Sequence, residues 1–357
     1  MKMFTKLALV SSMAISANAM ALQSMDDAAL SAATGQDGIN IGIGISKIEI
    51  EKVLVHDNDG LVYSGTAPTA GQAGFGGTGN AGAIVIKGNG SGKTATNGIV
   101  IEAPVNAAGD AYDTTRKLPS SLLAELAIDT DAGVGAGNTA FLNVAAKVSG
   151  LDIYIGEIGV SASNAVPAAS ATTIRRGATD SAYNATSNPT GNYNKILSGL
   201  SLKTGIMNAN IQLGAAPQGA MIILNTSMIG GLEIKDLGIL DNSTVLGNGD
   251  GTTAANRAAG EIRLDSIKVA DANSTNLTVD AKVSVLGKTD TSNGYLRIVT
   301  GSGASTPKTD MYIKGIHLGS AGAASIGDVE VQGLQTYYGT GTFGADVKGS
   351  MITISGH

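Results

Sequence analysis

Apolar residues recur along this chain in a spacing that changes parity partway along a β-strand. In the segment from Ile39 to Ile50, the residues Ile43, Ile45, Ile48 and Ile50 occupy relative positions 0, 2, 5 and 7. Each pair alternates as strand residues do, but the wider gap between the pairs would turn the second pair to the opposite face of a flat strand. The backbone must bulge or turn a corner to keep all four side chains together. The spacing therefore predicts a bent β-element with its four aliphatic side chains in one interior.

The same spacing returns four more times along the chain. The further copies are Ile153, Ile155, Ile158 and Val160; Leu232, Ile234, Leu237 and Ile239; Ile262, Leu264, Ile267 and Val269; and Met311, Ile313, Ile316 and Leu318. Their uneven intervals exclude a strict solenoid of fixed coil length. We therefore predict an all-β fold, either an elongated and irregular, solenoid-like β-helix or a bent-strand β-sandwich.

Other segments fill in the β-rich body, which we place at residues 39–357. Gly82 to Lys87 and Gly98 to Glu102 are near copies joined by a Gly/Ser/Asn tract, which predicts a β-hairpin with a long tip. Long polar insertions occur near residues 56–82 and 164–194. Loops of this length are often functional, so the second insertion is a candidate contact surface, with a passive excursion as the alternative.

The start of the chain has the layout of a signal peptide over residues 1–21. Lys2 and Lys6 are followed by a short apolar run from Leu7 to Ile15 and by small residues typical of a cleavage site. The apolar run is shorter than the roughly 20 residues that cross a bilayer as a helix, and no other run approaches that length. We therefore expect an exported protein without a transmembrane helix, in the periplasm, on the outer-membrane surface or in an extracellular filament.

Composition narrows the class of partner. Without Lys2 and Lys6 the basic residues fall from 23 to 21 against 29 acidic ones, so the formal charge changes from −6 to −8. A nucleic-acid partner is not expected, because binding to phosphates requires a basic surface. The chain has 50 glycines and no cysteine, which agrees with export of a protein whose core is large enough to fold without disulfides.

Residues 22–38 begin with the chemistry of a helix start. Ser24 can cap the first turn, Asp27 stands three positions later as in a capping box, and Asp26 and Asp27 both favour the positive end of a helix. Gly35 would end it. This pattern predicts a short helix between the signal peptide and the β-rich body, where it could cover an exposed strand edge.

This N-terminal segment also resembles a known family. Its pattern Leu-x-x-Met-Asp-Asp-x-x-Leu-Ser-x-x-Thr-Gly-Gln-x-Gly is similar to the mature start of FilA proteins, a pilus-system family of exported Gram-negative proteins. The matching residues are Leu22, Met25, Asp26, Asp27, Leu30, Ser31, Thr34, Gly35, Gln36 and Gly38. The resemblance implies a role at the cell surface or in a filament, with other pilus-system or surface proteins as partners.

Two motifs suggest ligand chemistry but are incomplete. The tract ending in Gly92-Lys93-Thr94 resembles a phosphate-binding loop, but Lys87 stands where that loop needs a glycine, and a strand rather than a helix is expected after it. Asp57 and Asp59 lie in a turn of the kind that can hold calcium, but they do not complete the twelve-residue loop spacing. They are weak calcium candidates, a solvated turn is the simpler interpretation, and no cofactor is predicted.

No catalytic constellation emerges from the sequence. There is no cysteine and no Gly-x-Ser-x-Gly motif, and the three histidines, His56, His317 and His357, form no ligand pair at helical spacing. We therefore do not expect an enzyme. The first functional hypothesis is an exported structural or adhesive surface protein that assembles with itself or with other surface components. The alternatives are an outer-membrane-associated β-barrel protein and, third, a carbohydrate-active enzyme on a β-helix.

Overall fold

The computed structural model describes residues 38–356, with gaps at residues 64, 185, 245–246, 291–292, 302–305, 340 and 343. The signal peptide of residues 1–21 and the helix predicted after it lie outside the described residues. Two 3-10 turns, Gly92–Thr94 and Asn242–Thr244, are the helical elements in the described part. The remaining regular structure is β-strand throughout, so the all-β prediction is confirmed.

The described residues form 22 strands. They are β1 (Ile39–Ile43), β2 (Lys47–Ile50), β3 (Lys52–Asp57), β4 (Gly82–Lys87), β5 (Ile99–Glu102), β6 (Ala124–Asp131), β7 (Phe141–Val148), β8 (Asp152–Ile155), β9 (Glu157–Ala162), β10 (Tyr193–Leu197), β11 (Leu200–Lys203), β12 (Met207–Gly214), β13 (Ile222–Met228), β14 (Leu232–Asp241), β15 (Gly260–Asp271), β16 (Leu277–Leu286), β17 (Tyr295–Thr300), β18 (Thr309–Leu318), β19 (Val329–Leu334), β20 (Tyr337–Gly339), β21 (Asp346–Lys348) and β22 (Ser350–Ile354).

These strands build two large antiparallel sheets. The first sheet has eight strands in the order β1-β6-β7-β12-β13-β16-β17-β22. The second sheet has twelve strands, and its longest members β14, β15 and β18 lie side by side. A separate two-stranded hairpin joins β20 to β21. Every described strand pair is antiparallel, whereas the coils of a β-helix stack in parallel. The described strands therefore form no solenoid.

The chain passes repeatedly from one sheet into the other at a line that we call the first bend. β7 leads into β8 through Ser149–Leu151, and β11 leads into β12 through Thr204–Ile206. Backbone hydrogen bonds continue across this line, because Thr204 N donates to Leu151 O at 3.0 Å and Ser149 N donates to Leu123 O at 2.9 Å. The first copy of the aliphatic motif also changes direction here, between β1 and β2.

A second bend runs across the middle of the second sheet, and the other four copies of the motif lie on it. Asp236 in β14 and Gly315 in β18 have positive φ angles of 58° and 66°. The paired residues on either side stay in one register, with Lys235 opposite Ser266 and Leu237 opposite Leu264. Neighbouring strands therefore bend together at one line, without a shift of pairing. The backbone conformation thus changes at the parity change of the motif, as its spacing predicts.

The interior expected at these corners is not present. Ile239, Ile262 and Leu318, all on the far side of the second bend, are 43%, 47% and 50% exposed. The buried apolar residues of the described chain are few and mostly small: Ala83, Val85, Val100, Leu118, Ala124, Ala220, Met228 and Ala281. The bend therefore redirects the strands but does not gather the aliphatic side chains into one closed core.

The hairpin predicted from the two near copies is wrong. β4 pairs with β3 and β9, whereas β5 pairs with β2 and β8. The two segments lie on opposite sides of the second bend, and residues 88–98 join them. A local pattern contains no information about which strands will become its neighbours.

Candidate interaction surface

An unbroken row of aliphatic residues crosses the first sheet from edge to edge. Residues directly opposite each other on paired strands share a face of the sheet. Following the register through all eight strands gives Ile39, Ile128, Val144, Ile211, Ile222, Val283, Ile298 and Ile352. We call this row the first ladder.

A second row of the same kind crosses the second sheet. Its members are Ile48, Ile101, Ile153, Leu202, Ile234, Ile267, Ile313 and Val329. We call this row the second ladder. Because each of these eight strands contributes one aliphatic residue, strands from distant parts of the chain form a continuous apolar stripe.

Both ladders keep exposed surface in the described part of the chain. All members are half-buried or exposed, and none is buried. Three of the four ends are the most open, with Ile39 63%, Ile352 49% and Val329 42% exposed, whereas Ile48 is half-buried. Side chains within a row shield each other sideways, but their outer surfaces remain accessible. A contiguous apolar stripe of this length is typical of a surface that contacts another molecule.

The opposite face of the second sheet carries charge instead. The row beside the second ladder runs Lys47, Glu102, Asp152, Lys203, Glu233, Lys268, Tyr312 and Glu330. Lys268 Nζ lies 3.7 Å from Glu233 Oε1, and Lys47 Nζ lies 3.8 Å from Glu102 Oε1. Opposite charges thus link β2 to β5 and β14 to β15 on this face, which favours the register of these two pairs, although Glu102 and Asp152 place like charges opposite each other between β5 and β8.

A buried arginine fastens a loop to this charged face at the first bend. The side chain of Arg116 is 9% exposed, and its Nη1 lies 2.8 Å from Oδ1 of Asp152, which is 1% exposed. Arg116 also donates to Asp113 Oδ2 at 2.9 Å and to the carbonyls of Thr204 and Val105, both at 3.1 Å. Burial alone would lower the pKa of Arg116, but Asp152 and Asp113 outweigh it and raise that pKa. The guanidinium is therefore a charged structural anchor.

The long insertion between β9 and β10 is attached to the same face. Lys52 Nζ lies 2.6 Å from Asp180 Oδ2, and Lys87 Nζ donates to the Asp180 carbonyl at 2.5 Å. Lys87 also stands 3.7 Å from the ring centre of Tyr193, a favourable cation–π distance. Burial and the carboxylate of Glu157 raise the pKa of the Tyr193 hydroxyl.

A polar cleft lies along the second bend. It has a volume of about 590 Å³ and is lined by Lys93, Tyr154, Lys195, Glu261 and Arg263, among others. Its charged groups contact one another: Arg263 Nη2 lies 2.6 Å from Asp236 Oδ1, and Ser198 Oγ donates to Glu261 Oε1 at 2.9 Å.

The tract that resembles a phosphate-binding loop forms one wall of this cleft. Lys93 Nζ contacts Glu102 Oε2 at 2.8 Å, and this hydrogen bond raises the pKa of Lys93. The tract forms a single 3-10 turn and continues into strand β5, so the helix N-terminus that would face a phosphate is not present there. The expectation of a strand after this motif is confirmed.

The weak calcium candidates lie at the end of β3. Asp59 N is 3.4 Å from Asp57 Oδ1, a long contact typical of an Asx turn. Arg176 of the insertion donates to Asn58 Oδ1 at 2.6 Å. Within the described part of the chain, no three His, Cys, Asp or Glu side chains converge as a metal site would require. The structure therefore adds no further ligand to Asp57 and Asp59.

His317 lies in β18 and is mostly shielded from solvent. Its side chain is 15% exposed, Nδ1 donates to the Ala323 carbonyl at 2.6 Å, and Nε2 lies 3.2 Å from Asp265 Oδ1. The Ala323 hydrogen bond and then Asp265 raise its pKa. His56 behaves oppositely, because burial and Arg176 lower its pKa.

Most of the family motif lies outside the described residues: Leu22, Met25, Asp26, Asp27, Leu30, Ser31, Thr34, Gly35 and Gln36. Its last residue, Gly38, is described and directly precedes β1. A Cβ atom built on Gly38 would overlap the carboxylate of Asp129 and lie 2.9 Å from the Ile128 carbonyl oxygen. Glycine at this position thus allows the chain to enter the first sheet beside β6.

Sequence reasoning missed two features of this surface. The spacing 0, 2, 5, 7 also occurs at Ile48, Ile50, Val53 and Val55, overlapping the first copy, and it is this set that crosses the second bend. The partners Arg116 and Asp152 could not be paired from the sequence, because neither belongs to a motif and the strand register brings them together.

Comparison with known proteins gives one partial match. Residues 1–109 match the model of a family of unknown function, DUF6160. This match covers the start of the chain through β5, which includes the segment with the FilA-like pattern. No curated protein and no solved structure matches the chain. No helix among the described residues is both long enough and apolar enough to cross a bilayer.

Proposed function

We propose that this chain is an exported structural or adhesive surface protein that acts through protein–protein contacts as a component of a pilus or filament system. Its partners are other pilus-system or surface proteins, or further copies of itself. The resemblance of residues 22–38 to FilA proteins supports the class of system. The two aliphatic ladders support the mode of action.

The ladders are the observation that carries this proposal. Full burial of one Ile, Leu or Val side chain contributes about 1.5–3 kcal/mol. The ladder residues are only partly buried in the chain alone. A partner that covers a ladder therefore gains, at each position, the part of this burial free energy that the chain alone does not obtain. A surface that binds by shape and apolar contact needs no reactive group.

The bent-strand sandwich belongs to the same proposal. Sheets pack face to face at about 10 Å, with interdigitated side chains between them. In our proposal the second layer over each ladder is supplied on assembly, so the sandwich is completed between molecules.

Electron microscopy of cells tests this function. Antibody against the β-rich body should label surface filaments or the cell surface of the producing strain, and a deletion strain should lose the label together with filaments or adhesion. A chain carrying Lys at two central ladder positions, Val283 and Ile267, should be exported but fail to restore these properties. Unchanged filaments and adhesion in the deletion strain would contradict the proposal.

A further inference from the structure

The outer edges of the two sheets are both unpaired in the described chain. At one side the edge consists of β1, β2 and β3, which pair only inward with β6, β5 and β4. At the other side it consists of β19 and β22, which pair only inward with β18 and β17. Each edge therefore presents backbone N–H and C=O groups that are ready to pair with another strand.

The edges in the first sheet lack the usual protection against such pairing. β1 reads Ile-Asn-Ile-Gly-Ile and β22 reads Ser-Met-Ile-Thr-Ile, each five residues long. Neither contains a charged residue or a proline, which are the common means of blocking an exposed edge. Ile39, Met351, Ile352 and Ile354 are all at least 45% exposed.

We propose that copies of this chain join head to tail, with β1 of one copy pairing antiparallel with β22 of the next. Alternation along the eight strands of the first sheet makes β1 and β22 antiparallel, so this pairing continues the sheet without changing its pattern. The first ladder ends at Ile39 on one edge and at Ile352 on the other. Placing Ile39 opposite Ile352 of the neighbouring copy makes that ladder continuous through the contact.

The second sheet supports the same register. Its ladder ends at Ile48 and Val329, and its charged row ends at Lys47 and Glu330. Pairing Ile48 with Val329 of the next copy places Lys47 opposite Glu330, a complementary pair of charges. Gly349 N donates to Thr336 O at 2.9 Å, so the segment that carries the β20–β21 hairpin starts and ends close together between β19 and β22.

This contact is heterologous, since two different edges meet. Such contacts extend into filaments unless rotation closes them into a ring. Strand addition would supply affinity mainly through backbone hydrogen bonds, with specificity from the aligned ladders. This inference rests on the proposed function, because it describes how the subunits of the proposed filament join.

Two blocking variants test the head-to-tail contact. Asn40→Lys and Met351→Lys place a charge on opposite edges and leave both ladders intact, since residues 40 and 351 lie in the row beside the first ladder. Each variant keeps one functional edge. By analytical ultracentrifugation, the purified wild-type chain should form large open polymers, each variant alone should be monomeric, and an equimolar mixture should give a dimer of twice the monomer mass.

Cysteine cross-linking fixes the register, because the chain has no cysteine of its own. Mixed Asn40→Cys and Met351→Cys chains should form a disulfide-linked pair on mild oxidation, whereas Asn40→Cys mixed with Thr353→Cys should not. Disulfide-linked dimers of Asn40→Cys alone would show a symmetric edge contact and overturn the proposal. Polymers of either lysine variant alone, or a monomeric mixture of folded variants, would also overturn it.

These outcomes separate the inference from the proposed function. If antibody labels surface structures in cells but the blocking variants assemble like the wild type, the edge contact is wrong and the function stands. If the variants behave as described but the deletion strain keeps its filaments and adhesion, the edge contact stands and the function is wrong.

Discussion

The two sheets share the same aliphatic ladder but differ in what lies on the opposite face. In the second sheet, loops pack onto that face and bury Val85 and Val100 to 0% exposure. In the first sheet, the corresponding face carries side-chain amides that bond to one another, with Asn210 Nδ2 donating to Asn143 Oδ1 at 2.9 Å. The two sheets therefore differ in the chemistry of this face, which is apolar and fully buried at Val85 and Val100 in the second sheet and polar at Asn143 and Asn210 in the first.

This difference shows where the chain stabilises itself and where it depends on a partner. Burial of apolar groups stabilises a fold, and loss of one partner of a buried ion pair destabilises it strongly; the second sheet has both fully buried valines and a buried ion pair. The first sheet has many backbone hydrogen bonds, and its buried apolar strand residues Ala124, Met228 and Ala281 keep 5–8% exposure, whereas Val85 and Val100 keep none. We therefore expect the second sheet to be the more stable unit of an isolated molecule and the first sheet to gain stability on assembly.

Among the substitutions that test this difference between the sheets, removal of Arg116 should lower the free energy of unfolding the most. Arg116→Met leaves Asp152 as an uncompensated buried charge, which costs about 3–5 kcal/mol. Denaturant unfolding of the monomeric Met351→Lys background measures the loss. Hydrogen exchange should locate it at the first bend and along β8 and β11.

Arg175→Met is the matched control for Arg116→Met. Arg175 forms an ion pair of 3.5 Å with Glu51, but these side chains are 79% and 68% exposed, so its loss should cost less than about 1 kcal/mol. Adding Asp152→Asn to Arg116→Met should recover part of the stability. Equal losses from the two arginine substitutions would show that the buried anchor has no special role.

Shortening one valine in each sheet compares the two layers directly. Val100→Ala removes methyl groups from a fully buried site and should cost about 2–3 kcal/mol, the sum of transfer and cavity terms. Val283→Ala removes the same atoms from the half-buried first ladder and should cost less than about 1 kcal/mol in the monomer. Similar values for both, measured by urea unfolding, would contradict the picture of one covered sheet and one open sheet.

Gly315 tests the second bend. Alanine at its φ of 66° is strained by about 1–2 kcal/mol, and a Cβ there would also crowd the side chain of Asp265. Gly315→Ala should lower stability and loosen the exchange protection of β15 and β18 at the bend. Gly260→Ala is the control, since no atom lies within 4 Å of its built Cβ and its φ is not positive. It should change stability by less than about 0.5 kcal/mol.

The strands and bends of this fold were accessible from sequence because they depend on local alternation. The motif that starts at Leu232 changes parity between Ile234 and Leu237. In the structure, Asp236 lies at this change and has a positive φ. The partner strands were not accessible, as the false hairpin between Gly82 and Glu102 shows. The true partners of these two segments lie 25 to 80 residues away along the chain, and a single sequence holds no direct signal for such pairing.

The candidate surface was accessible only in part for the same reason. Each aliphatic residue of the ladders is visible in the sequence, and its inward position was the natural expectation because apolar residues are usually buried. That expectation fails where a sheet has no second layer within the chain. The exposure of Ile39 and Ile352 could be seen only once the edges of the sheet were known.

The smallest expected effect is a pH response confined to the second sheet, since no strand of the first sheet contains a histidine. His317 has a pKa raised above its ordinary value of 6.5. Its hydrogen bond to the Ala323 carbonyl therefore stabilises the folded segment fully below about pH 6.5, and this stabilisation is lost as the pH rises through the folded pKa. His56 has a lowered pKa, so its contribution is instead lost as the pH falls.

Exchange protection of residues 319–328 should therefore be higher at pH 5.5 than at pH 8. His317→Gln should remove this difference, whereas His56→Gln should leave it. A pH response of equal size in β12 or β13 of the first sheet would mean that titration acts through the whole molecule, because those strands lie far in the pairing order from either histidine.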